Sequence, residues 1–202
     1  MAHPNGTTLF DTVAVRTDFG AATRAAAVVF MAVLTVVAAQ ISIPLPFTPV
    51  PLTLQPMVVL LGGAALGSRL GMTSQVLYLA AGLAGLPVFA ASPVLPQGIL
   101  RVLGPTGGFL LAYPFAAFLT GWLAERGFDR RYLTSVVAMA AGLAVIFTFG
   151  VAWLAWFATP APAGLPNALR LGLYPFVAVD VVKLLLAATV LPAIWKLTGT
   201  RT

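Results

Sequence analysis

The sequence predicts an all-α integral membrane protein of six transmembrane helices with both termini in the cytoplasm, and three observations carry that prediction. Of 202 residues, 60% are hydrophobic and 8% charged, against the roughly 25% charged residues of a soluble domain. Mean hydropathy is +1.00, and uncharged stretches long enough to cross a hydrocarbon core about 30 Å thick follow one another along the chain. Lys and Arg outnumber Asp and Glu by 11 to 5 and gather at alternate junctions between those stretches.

The apolar runs fall near 21–43, 52–67, 70–91, 107–124, 132–158 and 171–197. They are apolar on every face, as expected of helices bordered by lipid and by one another. The chain is then divided into a cytoplasmic tail over 1–20, one six-helix membrane domain over 21–198 and a short tail over 199–202. Near the end of the first run, Val37-Ala38-Ala39 resembles a signal-peptide cleavage site. The polar stretch ahead of this run is long, and its removal would put the two ends on opposite sides. The run is expected to remain as the first span.

The second run is short. About 15 helical residues at 1.5 Å each reach about 22 Å, less than the thickness of the core. Ahead of it, PLPFTPVPL over 44–52 carries Pro44, Pro46, Pro49 and Pro51. That spacing blocks a helix and favours extended chain. The segment is expected to dip inward from the outer surface, where irregular backbone is tolerated only against protein or a polar cavity. The first outer loop is therefore expected to line a site.

The charges choose the orientation. With the N-terminus inside, the inner segments hold Arg16, Arg24, Arg69, Arg126, Arg130, Arg131, Lys196 and Arg201, while the outer loops hold only Arg101 and Arg170. This is the bias of the positive-inside rule, and it accounts for the net charge of +6 without a nucleic-acid partner. Asp11, Asp18, Glu125 and Asp129 also fall inside, so the outer face favours the approach of an anion.

Two ionisable residues lie deep in a span: Asp180 and Lys183, in YPFVAVDVVK over 174–183. A spacing of three puts them on one helix face, where each offsets much of the other's charge. Such a pair could be structural, but Leu would serve a structural purpose as well, and ionisable groups in spans usually face a cavity. Arg101, in GILRVLGPTGG over 98–108, can fold over a cavity mouth and offer its planar fork to a carboxylate. Asp180, Lys183 and Arg101 together sum to one positive charge, which a monoanion would neutralise. Thr48, Thr53, Gln55, Gln75, Tyr78, Thr106 and Tyr174 are further polar candidates, although hydroxyls and amides in spans often only satisfy backbone carbonyls or neighbouring helices. Phe47, Phe89, Phe109 and Tyr113 read first as packing or interfacial belt.

Small residues recur twice. Ala21/Ala25 and Ala22/Ala26 open the first span, and Gly62, Gly63, Gly67 and Gly71 flank Arg69. Both patterns permit close helix approach, within the chain or to a partner. Several chemistries are excluded or unsupported. Cys is absent and His3, in the polar tail, is the single His, which removes thiolate and intramembrane imidazole chemistry. No phosphate-binding loop, HExxH or GxSxG motif occurs. No catalytic residues, metal or cofactor are expected, nor an enzyme.

At this point the residues carry a resemblance. PLPFTPVPLTLQ (44–55), LLGGAALGSRLG (60–71), YLAAGLAGLPVFA (78–90), LGPTGGFLLAYP (103–114) and DVVK (180–183) resemble the BioY family, in order and spacing, across 21–197. The resemblance implies an outward-opening, high-affinity biotin site on an S component of an energy-coupling-factor transporter in the bacterial inner membrane. It implies docking to a membrane T component and two cytoplasmic ATPases, with lipid around the spans. It carries biotin contacts onto Asp180, Lys183 and Arg101, and partner docking onto Ala21, Ala22, Ala25 and Ala26, with Arg69 beside them. The family's polar side chain near the end of the third helix falls on Phe89-Ala90-Ala91-Ser92, where Ser92 is what the stretch offers. Thr48, Gln55, Tyr78 and Phe89 complete the expected substrate contacts. A self-sufficient carrier for biotin or another small organic anion, and a non-transporting scaffold, are the alternatives.

Overall fold

The structure, a computed structural model, describes residues 8–10, 20–92 and 96–197. His3, Asp11, Arg16, Asp18, Pro93 and Arg201 lie outside the described residues, as do most of the N-terminal tail and the C-terminal one. The fold is helical: α1 (Gly20–Gln40), α2 (Gln55–Leu66), α3 (Ser68–Leu83), α4 (Ile99–Leu103), α5 (Gly107–Ala124), α6 (Tyr132–Trp156), α7 (Leu165–Gly172) and α8 (Tyr174–Leu197). Four of these, α1, α5, α6 and α8, are long and apolar enough to cross a membrane. The other two apolar runs become the shorter helices α2, of 12 residues, and α3, of 16.

The boundary changes that bear most on the site each have a local reason. The first run ends at Gln40 rather than 43, because Ser42 and Ile43 (strand β1) pair antiparallel with Thr53 and Leu52 (strand β2). This short ladder is the only departure from an all-α fold among the described residues, and it folds the proline-rich segment back on itself. The third run ends at Leu83 rather than 91. Gly85, at φ 93°, takes the left-handed conformation that closes a helix C-terminus, and the Leu86 N–H donates back to the Ala81 carbonyl at 3.2 Å. The last run begins at Tyr174 rather than 171, because Leu171 and Gly172 end a separate short helix, α7. Pro175 then sits in the first turn of α8, where its missing N–H costs nothing.

The centre of the molecule is α5, most of whose residues are buried; it packs on α2, α3 and α6. By contrast α1 and α8 keep Val29, Phe30, Val33, Val182 and Leu186 exposed, the condition of helices that face lipid. At one end α2, α3 and α5 cross at backbone distance. A Cβ on Gly71 would lie 2.8 Å from the Gly63 Cα, and one on Gly121 would lie 2.5 Å from Gly67 C and Ser68 N. Gly67, at φ 83°, turns the chain from α2 into α3 in one residue. The glycines flanking Arg69 therefore serve contacts within the chain. Glu125 closes the same junction, its Oε1 accepting from the Ser68 N–H at 2.7 Å and the Ser68 hydroxyl at 2.8 Å.

Candidate functional site

The other end of the molecule is built from the proline-rich loop, α4 and the near ends of α5 and α8. Pro44 through Pro49, with Pro51, Ala91 and Ser92, surround an open mouth of about 590 Å³. Beneath it lie two small chambers of about 40 Å³ each. Both are walled by Val50, Pro51, Thr53, Phe109 and Tyr113, so β2 and α5 form the partition between them. One chamber adds Gln55, Phe89, Ala90, Arg101 and Thr106. The other adds Pro56, Ile146, Phe176 and Asp180.

Asp180 and Lys183 stand one turn apart on α8, and the Lys183 Nζ donates to Asp180 Oδ1 at 2.9 Å. The same ammonium donates to the Thr53 carbonyl at 2.7 Å, which ties α8 to β2 beside the chamber that Asp180 borders. An acceptor and a donor thus sit side by side at nearly zero net charge. Removing either partner alone would strand the other charge in a medium that solvates it poorly.

Arg101 is 1% exposed. Its Nε donates to the Pro96 carbonyl at 2.9 Å and its Nη2 to the Ala90 carbonyl at 2.7 Å, which draws the loop after α3 around the guanidinium. Both acceptors are backbone groups without formal charge. Burial pulls the Arg101 pKa below the usual arginine value, against a nearby Tyr78 that raises it; a guanidinium stays protonated regardless. Behind Arg101, Gln55 Nε2 donates to the Tyr78 hydroxyl at 2.7 Å, and Tyr78 packs edge-to-face on Phe89 with ring centroids 5.6 Å apart.

Most of the candidate substrate contacts therefore gather in three places. Gln55, Phe89 and Arg101 share one chamber, with Tyr78 bonded to it from behind. Asp180, with Lys183, belongs to the other. Thr48 and Ser92 stand at the open mouth instead; the Thr48 hydroxyl donates to the Leu171 carbonyl at 2.6 Å and so fastens the loop to α7. Gln75 lies away from the chambers, donating to Thr35 Oγ1 and Ser74 Oγ at 3.2 Å each between α1 and α3. Tyr174 is exposed. Phe109 and Tyr113, which read first as packing, line both chambers, and Phe176 lines one. The spacing of four between Phe109 and Tyr113 is the sequence signal, since it puts both on one face of α5. Ala21, Ala22, Ala25, Ala26 and Arg69 are all exposed, at the opposite end from the chambers.

Comparison with known proteins adds a family and a shape. The BioY family profile matches residues 10–200. A probable biotin transporter BioY of Pyrococcus horikoshii is 45% identical over 150 residues, covering 74% of this chain and 82% of that one. The biotin transporter BioY of Thermotoga maritima is 37% identical over 164 residues, covering 81% and 90%. The crystal structure of an S-component for biotin from an ECF-type ABC transporter superposes with a TM-score of 0.78 at 26% identity, covering 89% of this chain and 94% of that one.

Proposed function

The chain belongs to the BioY family, and from that premise we propose that it takes up biotin as the substrate-binding S component of an energy-coupling-factor transporter. It is a multi-pass membrane protein, which we assign to the bacterial cytoplasmic membrane. In this reading α2 and α3 complete six spans, Arg24, Arg69, Arg126, Arg130, Arg131 and Lys196 mark the cytoplasmic side, and both termini lie there. The chambers then open toward the outside. The work is binding and translocation, not catalysis, because the relatives are named as transporters.

One observation carries the assignment of the site: buried Asp180 borders a chamber beneath an open mouth and holds the half-buried Lys183 at 2.9 Å. Biotin carries a ureido group with N–H donors and a carbonyl acceptor. Asp180 offers an acceptor for the former and Lys183 a donor for the latter, while Phe109, Tyr113 and Phe176 supply apolar walls. Two chambers of about 40 Å³ hold little more than a water each, far below the roughly 300–1,000 Å³ of small-molecule sites. The open mouth, at about 590 Å³, falls within that range, so in this reading the ligand is admitted there and the chambers widen to receive its polar ends. Equilibrium binding of labelled biotin to the purified protein tests this assignment. Asp180→Asn is expected to weaken binding by about 1.4 kcal/mol or more, a tenfold step; unchanged affinity would remove Asp180 from the site.

Transport partners follow the same premise. The exposed Ala21, Ala22, Ala25 and Ala26, together with the exposed Arg69, form the proposed docking surface for a membrane T component, which would couple this chain to two cytoplasmic ATPases. Nothing in the chain offers an energy source of its own, so inward release would be driven from outside it. Reconstitution distinguishes the two routes: biotin accumulation in liposomes that depends on the ATPases supports coupling, whereas counterflow by this chain alone supports a self-sufficient carrier.

A further inference from the structure

The proposed function places the ureido group at Asp180 and Lys183 and leaves open what holds the carboxylate. The deciding residue is one of the polar candidates that the sequence offers without distinguishing it from the rest. Thr106 is 6% exposed, and its Oγ1 has no hydrogen-bond partner among the described residues. A buried hydroxyl without a partner is costly and uncommon in folded proteins. It borders the same chamber as Arg101. It also immediately precedes α5, an 18-residue helix, yet its side chain does not cap that helix, the ordinary use of a threonine at this position.

The turn that follows is held rigidly. Gly107 lies against the Val102 carbonyl and the Trp153 indole, and Gly108 against Trp153 and the Phe149 carbonyl. The Trp153 Nε1 in turn donates to the Gly104 carbonyl at 3.0 Å. Any substituent on those two glycines would push α5 off α4 and α6. What remains beside the chamber is a hydroxyl at the positive end of a helix dipole, next to a guanidinium, an arrangement suited to an anion.

We propose that Thr106 is a specificity-determining residue: its hydroxyl donates to the carboxylate of the bound acid at the N-terminus of α5, beside Arg101. The neutral ureido end then points toward Asp180 and Lys183. The assignment rests on the biotin reading above and extends it. It follows from matching charge to charge. The Asp180–Lys183 pair is nearly neutral and offers one acceptor and one donor, which suits a ureido group and gives a carboxylate no net attraction. The α5 end presents positive potential and a waiting donor.

The test is equilibrium binding to the purified full chain of two ligands, biotin and its carboxamide, in which the carboxylate becomes a neutral amide. Wild type is expected to prefer biotin. Thr106→Val is expected to weaken biotin by about tenfold and the carboxamide much less, so that the preference shrinks; Thr106→Ser, which keeps the hydroxyl, restores it. Asp180→Asn should weaken both ligands alike. Equal weakening of both ligands by Thr106→Val, or no weakening of either, overturns the carboxylate assignment while leaving biotin binding intact. Failure of wild type to bind biotin at all overturns the functional reading, and the inference with it.

Discussion

The two ends of this molecule are made from the same low-charge chain and are packed in opposite ways. At the end proposed as cytoplasmic, Gly63, Gly67, Gly71 and Gly121 let α2, α3 and α5 meet backbone to backbone. At the end proposed as outer, prolines keep the chain from becoming helix, and the gap beneath them is bordered by Arg101, Thr106, Gln55, Tyr113 and Asp180. Close packing comes from side chains that are absent, and the chambers from side chains that cannot be packed without partners. Interiors this dense respond to a single added methyl group, while a polar crevice is sensitive to lost charge or hydrogen bonds. One end is suited to holding a fixed shape and the other to exchanging its contents.

The largest expected effect tests the crevice. Lys183→Met strands Asp180 and should cost about 3–5 kcal/mol, read as a fall in thermal stability of the detergent-purified protein. The double variant Asp180→Leu with Lys183→Met should recover most of that stability but none of the biotin binding. Recovery of both would make the pair purely structural and erase the difference between the two ends.

Next comes the glycine crossing. Gly121→Ala puts a Cβ on the Gly67–Ser68 peptide and should cost about 1–3 kcal/mol, with biotin affinity of the folded fraction little changed. A large loss of affinity at unaltered stability would show that the two ends are coupled. Glu125→Gln is smaller: an amide oxygen still accepts from Ser68, but the negative charge at the start of α3 is lost, worth about 0.3–1 kcal/mol.

The smallest effect is one of pH. Asp129, in the turn between α5 and α6, is buried, and burial raises its pKa above the usual carboxylate value. The indole bond from Trp195 at 2.6 Å and the neighbouring Arg130 work the other way. A raised folded-state pKa means that the stability attributable to protonation is fully present below the unfolded value and is lost as pH rises through the folded one. Thermal stability should therefore decline across that interval in wild type. Asp129→Asn should flatten the decline, and an unchanged profile would assign it elsewhere.

Much of this was legible from the residues alone. Charge spacing marked the apolar runs, and the spacing of three between Asp180 and Lys183 put the pair on one face of α8, where the structure holds it as an ion pair. The prolines marked the loop that lines the mouth. The same signals did not show that Thr48 is spent on Leu171, that two Arg101 donors turn back to Pro96 and Ala90, or that Gln75 links α1 to α3. Each is a contact between segments far apart in sequence or a reversal of the local chain. No pattern along one helix encodes such a contact.

What the order of residues settles here is solvent and chemistry: a chain this apolar has to live in lipid, and its few charges have to be oriented or paired. Which faces meet was decided only when the helices assembled. In a soluble helix a polar stripe marks the outside, but here nearly every face is apolar, so the pattern does not distinguish a neighbour from lipid. Shape made the choice, through glycines that admit a backbone and through a threonine left beside a chamber. Shape of that kind exists only in three dimensions.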